Sequence, residues 1–161
     1  LGPIKNVVKS LEKIKKYFQE IIVTGVNRKL YNSLKKQIKK CKKKVFLYRY
    51  VNNINELMAV SDIVITKPGG VTTAEALANN IPMIIINPIP GQEANNTAYL
   101  IERGAAIKVD SADNINSAVE DLLTAPDKLI PLRESARCIA KPNASIDIAR
   151  LLLDLCLPSH V

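Results

Sequence analysis

The sequence predicts an α/β protein built on a doubly wound parallel sheet. Five short apolar runs, at residues 21–23, 45–48, 63–65, 83–86 and 105–109, alternate with stretches whose apolar residues recur at helical spacing. Ile63, Val64 and Ile65 form an unbroken β-branched run bounded by Asp62 and a Pro-Gly-Gly turn, as expected of a strand covered on both faces. Polar and glycine-rich loops follow the third and fourth runs, and the carboxyl ends of parallel strands are where such loops form a cleft.

Each element has its own justification. Ile4, Val7, Val8, Leu11, Ile14 and Phe18, with lysines between them, predict an amphipathic helix over residues 4–19. Residues 21–23 make the first strand, closed by Thr24-Gly25-Val26-Asn27. A helix over residues 28–41 follows, with Leu30, Leu34 and Ile38 inward and Lys35, Lys36, Lys39 and Lys40 outward. Residues 45–48 are strand-like, and Arg49-Tyr50-Val51 forms the next loop. Asn53 followed by Glu56 has the spacing of a capping box and starts a short helix through Leu57 and Met58. After the strands at 63–65 and 83–86, a helix over 92–102 ends at Arg103-Gly104, a glycine stop. Residues 105–109 are the last strand. Helices at 113–124, 127–139 and 144–156 finish the chain, the second weakened by Pro131.

At 161 residues, 47% of them hydrophobic, the chain is one domain's worth of soluble globular protein. No apolar run approaches the roughly 18–20 residues that span a bilayer, and Leu1-Gly2-Pro3 opens no signal-peptide pattern, so a cytosolic location is expected. Cys41, Cys138 and Cys156 are odd in number, far apart and without close His partners, which argues against a disulfide framework and against a metal site. The net charge of +8 is unevenly spread: residues 1–50 carry +13 and the remainder −5. Such asymmetry points to a polyanion, an anionic membrane surface or nucleic acid, or else to a solvated lysine-rich face. No DNA- or RNA-binding signature accompanies the basic half, so nucleic acid is not the expected partner.

The stretch from Asp62 to Asn96 carries the chemistry. Lys67-Pro68-Gly69-Gly70 lets the backbone turn tightly and come close to a ligand, and Thr72 and Thr73 lie in the first turn of the next helix. Free N–H groups there, with hydroxyls beside them, suit a phosphate. Glu75 sits one turn further in, where a carboxylate accepts hydrogen bonds from vicinal hydroxyls such as those of a ribose. Pro88-Ile89-Pro90-Gly91-Gln92-Glu93 then places further polar groups at the same sheet edge.

Lys67-Pro-Gly-Gly-Val-Thr-Thr-Ala-Glu-Ala, Pro90-Gly-Gln-Glu-Ala-Asn-Asn and Arg103-Gly-Ala-Ala resemble the carboxy-terminal donor domain of glycosyltransferase family 28. Within it, the processive diacylglycerol glucosyltransferases and monogalactosyldiacylglycerol synthases are most similar. The resemblance covers nearly the whole chain in order and spacing. It implies the Rossmann-like carboxy-terminal half of a GT-B enzyme and inverting transfer of a hexose from a UDP-sugar to a lipid hydroxyl.

By that resemblance the diphosphate lies on Gly69, Gly70, Thr72 and Thr73, and Glu75 holds the ribose. The segment at Tyr50 and Val51 receives uracil, and Gln92, Glu93, Asn95 and Asn96 read the sugar hydroxyls. Gly25 and Asn27, with Lys67, line the same cleft. No cofactor is implied beyond the UDP-sugar substrate, and no Asp-x-Asp motif calls for a metal. The only histidine is His160, and no Asp or Glu has a claim as general base, which the family draws from a separate acceptor-binding domain. The first helix is preceded in the family by a central strand and a glycine-rich loop, of which only Leu1-Gly2-Pro3 corresponds here. Residues 1–161 are therefore expected to be a donor-binding fragment that meets its lipid acceptor through the missing domain, on the cytoplasmic face of a membrane, with lysines of residues 29–44 facing anionic lipid. The competing readings are a related nucleotide-sugar enzyme, a peptidoglycan N-acetylglucosaminyltransferase or UDP-sugar epimerase, and a non-enzymatic polyanion-binding module.

Overall fold

A computed structural model describes residues 3–87 and 89–156. In chain order it contains α1 (Pro3–Leu11), β1 (Gln19–Val23), α2 (Arg28–Ile38), β2 (Lys44–Tyr48), α3 (Ile54–Ala59), β3 (Val64–Thr66) and α4 (Gly70–Ala78). There follow β4 (Met83–Ile86), α5 (Gln92–Glu102), β5 (Ala106–Val109), α6 (Ile115–Thr124), α7 (Leu129–Ile139) and α8 (Ala144–Cys156). The five strands stand where the apolar runs place them, and every strand pairing is parallel. They do not form one ladder, however. β1 pairs with β2, and β3, β4 and β5 pair in that order, with no backbone ladder between β1 and β3 among the described residues.

α1 spans the break. Its Val7 and Leu11 pack with Ile84 and Ile86 of β4, Val109 of β5 and Ile115, Val119 and Leu122 of α6. Its Val8 instead meets Leu30 and Leu34 of α2 beside Ile22 of β1. β4 is the centre of the core: Met83, Ile84, Ile85 and Ile86 are all buried. Alternation sends Ile84 and Ile86 to the α1/α6 face, and Met83 and Ile85 to the face built from Ala76, Leu77, Leu100 and Ala136. Helices thus cover both faces of this half, which is why the run is continuously apolar.

Several boundaries differ from expectation. The first helix stops at Leu11, because Lys13 and Ile14 bond back three residues, to Ser10 and Leu11, in a tightened turn. Ile14 is still buried and Phe18 still packs on the core, so the apolar spacing continued past the end of the helix. α2 likewise ends at Ile38 in a turn through Lys40 and Cys41. Asn53 does not cap α3 with its side chain; its Nδ2 donates to Glu56 Oε2 at 2.9 Å. Pro131 does not weaken α7, since it stands in the first turn, where backbone N–H groups have no intrahelical acceptor. Cys41, Cys138 and Cys156 are free thiols. α8 buries no residue and leaves Ile148, Leu151, Leu152 and Leu155 exposed. No helix among the described residues is long and apolar enough to cross a membrane. His160 lies outside the described residues.

Candidate functional site

The β3–α4 crossing is a tight turn. The Gly69 N–H donates to the Lys67 carbonyl at 2.9 Å, and the Thr73 N–H donates to the Gly69 carbonyl at 2.9 Å, the first bond of α4. The N–H groups of Gly70, Val71 and Thr72 precede that bond and have no helical acceptor. Gly69 has φ −66° and ψ 144°, extended backbone open to any residue. A Cβ added at Gly69 or at Gly70 would meet no atom within 4 Å. Neither backbone nor packing in this chain therefore demands glycine at these two positions, and the space beside them is open.

The β4–α5 crossing lies against the first. Asn96 on α5 donates from Nδ2 to the Pro68 carbonyl at 2.8 Å, tying the second helix onto the Lys67–Gly70 turn. Two of the residues assigned by resemblance to the sugar are thus engaged with the protein itself. Asn96 spends one amide N–H on the turn, and Glu93 accepts the Ile89 N–H on Oε2 at 2.7 Å, closing its own helix start. Gln92 and Asn95 are exposed, and neither side chain has a hydrogen bond within the described residues. Gly91, at φ 98°, needs glycine to make the approach to α5.

The remaining residues of the turn differ in availability. Lys67, Thr72 and Glu75 are half-buried, and none has an ion pair or side-chain hydrogen bond among the described residues. The Thr73 hydroxyl is buried and unpartnered, an unmet polar group directly behind the turn.

Two of the other predicted residues line a hollow at the carboxyl ends of β1 and β2. Gly25, at φ 58°, and Tyr50 line one hollow of about 310 Å³, together with Val26, Arg28 and Arg49. Thr24 holds the loops after β1 and β2 level, through its N–H and its hydroxyl, both bonded to the Tyr48 carbonyl at 3.1 Å. Asn27 is committed to structure: its Oδ1 accepts the Leu30 N–H at 3.0 Å and caps α2. Val51 is half-buried beside Tyr50. No hydrogen bond or ion pair joins this group to the Lys67–Glu75 turn among the described residues. The sequence reading passed over Arg28 and Arg49. The available signal was the absence of any Asp or Glu from residues 21–55, which leaves both cations without a nearby counter-ion.

A polar cluster that the sequence did not announce lies at the opposite, amino end of β1. Burial, reinforced by the Glu12 carboxylate and partly offset by Lys43, pushes the Glu20 carboxyl from its ordinary 4.5 up to about 7. Burial, reinforced by the neighbouring Glu12 and Glu20 carboxylates, pushes the Cys41 thiol up to about 11. One oxygen of Glu12 accepts the Lys42 N–H at 2.8 Å, while its other oxygen and Glu20 Oε1 are buried without a partner. Lys43 is not part of a solvated face: its Nζ donates to the Ile14 carbonyl and lies 5.0 Å from the centre of the Phe18 ring. The exposed basic surface of α2 and the turn after it is made of Lys29, Lys35, Lys36, Lys39 and Lys40.

Residues 4–148 match the model of the glycosyltransferase family 28 C-terminal domain. The chain belongs to this family. Processive diacylglycerol beta-glucosyltransferase of Bacillus mycoides is 31% identical over 163 residues, covering 100% of this chain and 42% of the relative. The enzyme of the same name from Bacillus subtilis strain 168 is 36% identical over 146 residues, covering 89% of this chain and 38% of its own length. The family 28 chain thus spans about two-fifths of these curated relatives. Among solved structures, MurG of Acinetobacter baumannii has a TM-score of 0.77 at 15% identity, over 94% of this chain and 47% of that one. Anabaena Alr3699/HepE, solved with UDP-glucose, has a TM-score of 0.70 at 17% identity, over 94% and 45%. Likeness at that identity establishes the fold: the parallel strands with helices on both sides are the Rossmann-like half shared with these proteins.

Proposed function

We propose that this chain is the donor-binding half of an inverting glycosyltransferase that moves a hexose from a UDP-sugar to a diacylglycerol-type lipid. The reading rests on one arrangement in a family 28 domain: two consecutive strand-to-helix crossings, joined by Asn96 on the Pro68 carbonyl, with unbonded N–H groups and open space at Gly69 and Gly70. In this reading the first-turn N–H groups of α4 hold the diphosphate and stabilise UDP as it departs, aided by the helix dipole. Lys67 adds a positive charge, Glu75 accepts the ribose hydroxyls, and the Tyr50–Val51 segment receives uracil. Gln92 and Asn95 present their free amides to the sugar, whereas Asn96 and Glu93 position the loop that carries them. Transfer also needs a base to take the acceptor's proton. In this reading that group and the acceptor site lie in a part of the protein matching the length of the relatives that residues 1–161 do not cover. The uncovered apolar residues of α8 fit such a larger assembly.

Titration of the chain with UDP-glucose, UDP-galactose and UDP-N-acetylglucosamine, followed by amide NMR, tests the reading. Shifts concentrated at Gly69–Glu75 and Gln92–Asn95 are expected, with one sugar preferred. No response at millimolar donor would reject it.

The exposed lysines of α2 support a second element of the proposal, peripheral attachment to an anionic membrane surface. Replacing Lys35, Lys36, Lys39 and Lys40 by Gln should lower binding to anionic vesicles, and unchanged binding would reject it.

A further inference from the structure

The polar cluster at the amino end of β1 lies away from the loops that follow β1 and β2, and it has no part in the donor reading. Three segments of the chain meet in it. Glu12 follows α1 directly, its N–H still bonded to the Val8 carbonyl at 3.1 Å. Glu20 is the second residue of β1 and is only 7% exposed. Cys41, Lys42 and Lys43 belong to the turn between α2 and β2. Glu12 Oε1 accepts the Lys42 N–H at 2.8 Å, so a carboxylate at the end of α1 holds that turn in place.

The other carboxylate oxygens of the cluster are in a different state. Glu12 Oε2 and Glu20 Oε1 are both buried without a hydrogen-bond partner. The titratable groups that act on Glu20 are Glu12 at the end of α1 and Lys43 in the turn before β2, and Glu20 in turn acts on Cys41. Lys43 does not relieve the two oxygens: its Nζ donates to the Ile14 carbonyl and stands over the Phe18 ring, and it forms no ion pair with either carboxylate among the described residues. The Cys41 thiol lies 3.9 Å from the Gln37 carbonyl and stays neutral. Two ionised carboxylates here would set two negative charges against one ammonium. One added proton corrects both faults, because it makes one orphan oxygen a donor to the other and balances the charge of Lys43. Burial and the Glu12 charge raise the Glu20 carboxyl to about 7, which keeps that proton in place on the acid side of neutrality.

We propose that Glu12 and Glu20 share a single proton, and that this proton latches the turn between α2 and β2 to the end of α1, the latch opening in alkaline solution. Once the proton leaves, the two carboxylates repel each other in a buried site. Glu20 is fixed in the ladder opposite Val45. Glu12, half-buried beyond the end of its helix, is the group that swings out, and the Lys42 N–H loses its acceptor. The protonated form is thus the closed one, present below about 7 and lost above it. The turn it holds follows Lys39 and Lys40, part of the basic surface assigned above to an anionic membrane. Closed, the cluster also carries one negative charge fewer, so an anionic surface favours the closed form. Attachment should therefore weaken as pH rises through 7. That consequence rests on the membrane reading, whereas the latch itself does not.

The test uses the 161-residue chain with Cys138 and Cys156 replaced by Ser. Between pH 5 and 9 the side-chain carboxyl carbon signals of Glu12 and Glu20 should move together through one midpoint near 7. Across that midpoint the Lys42 amide should lose protection from hydrogen exchange. Labelling of Cys41 by a thiol reagent should rise several-fold beyond the increase with pH common to all thiols. E20Q keeps the shape of the side chain and gives Glu12 a permanent N–H donor, so the step in labelling should vanish. Binding of the wild-type sequence to phosphatidylcholine vesicles containing phosphatidylglycerol should fall several-fold from pH 6 to 8, and that of E20Q should not. A Glu12 signal that stays still while Glu20 titrates would overturn the shared proton, and this needs no variant. Joint titration with Lys42 exchange and Cys41 labelling unchanged would overturn the latch. A step in labelling without any change in vesicle binding would overturn the membrane consequence alone. The UDP-sugar titration reads the Gly69–Glu75 turn, so failure here and failure of the donor reading are distinguishable.

Discussion

The two pieces of the sheet are held by different amounts of core. In β3–β4–β5 the central strand is buried along its whole length, between one helical layer from α1 and α6 and another from α4, α5 and α7. In β1–β2 only one face is packed, by α1 and α2, while Ile21 is 37% and Tyr48 40% exposed. The Lys67–Gly70 turn leaves the well-packed piece; the hollow beside Arg28 and Arg49 leaves the thin one. A turn that presents backbone N–H groups to a ligand works only if its scaffold holds it still, whereas a surface that attracts a fluid membrane tolerates movement.

Truncation on the two pieces gives the largest contrast. Ile85→Ala empties a site enclosed on all sides and should cost about 3 kcal/mol in urea unfolding. Ile21→Ala removes a side chain that already meets solvent and should cost under about 1 kcal/mol. Equal losses would mean that the outer face of β1–β2 is covered in solution.

The next effect belongs to the thin piece alone. The Glu20 carboxyl titrates near 7 when folded, above its ordinary 4.5, so between those values the folded chain holds a proton that the unfolded chain has released. Stability should be unaffected by this group below about 4.5 and should fall as pH rises through 7, by on the order of 3 kcal/mol in total. Glu20→Gln should remove most of that slope. A wild-type stability that stays flat from pH 5 to 8 would show that the buried oxygen finds a partner in solution.

Between the pieces and the site stands Asn96. Asn96→Ala removes its bond to the Pro68 carbonyl and should cost about 1 kcal/mol. It should also broaden the Gly69 and Gly70 amide signals and weaken UDP-glucose. Loss of affinity with no change at Gly69 and Gly70 would return Asn96 to direct contact with the sugar, as the resemblance implied.

The fold was legible where local pattern and tertiary burial agree. Met83–Ile86 reads as a strand and is one, because a run buried on both faces is apolar throughout. The first helix misled because Ile14 keeps the helical phase while sitting in a tightened turn, and periodicity records which side chains face the core rather than which backbone bonds form. The split of the sheet was not legible, since no residue in β1 or β3 announces an unpaired edge. At the site, the turn at Lys67–Gly70 could be read from its glycines. Whether Asn95 or Asn96 stays free could not, because the deciding bond joins residues 28 positions apart. Arg28 and Arg49 were hidden for a related reason. Each is an ordinary surface cation until the pairing of β1 with β2 brings the two loops level.

The smallest prediction compares two asparagines that look alike in sequence, each one residue before a helix. Asn27 accepts the Leu30 N–H and so satisfies one of the donors that every helix start leaves open. Asn53 gives its amide to Glu56 instead, leaving the first turn of α3 without a side-chain acceptor. Asn27→Ala should therefore cost about 1 kcal/mol, whereas Asn53→Ala should cost a few tenths, since an exposed side-chain pair adds little. The first change should also loosen the start of α2, lowering the protection of its first-turn amides in hydrogen exchange, while the second should leave α2 alone. If both substitutions cost the same, Asn53 caps its helix in solution.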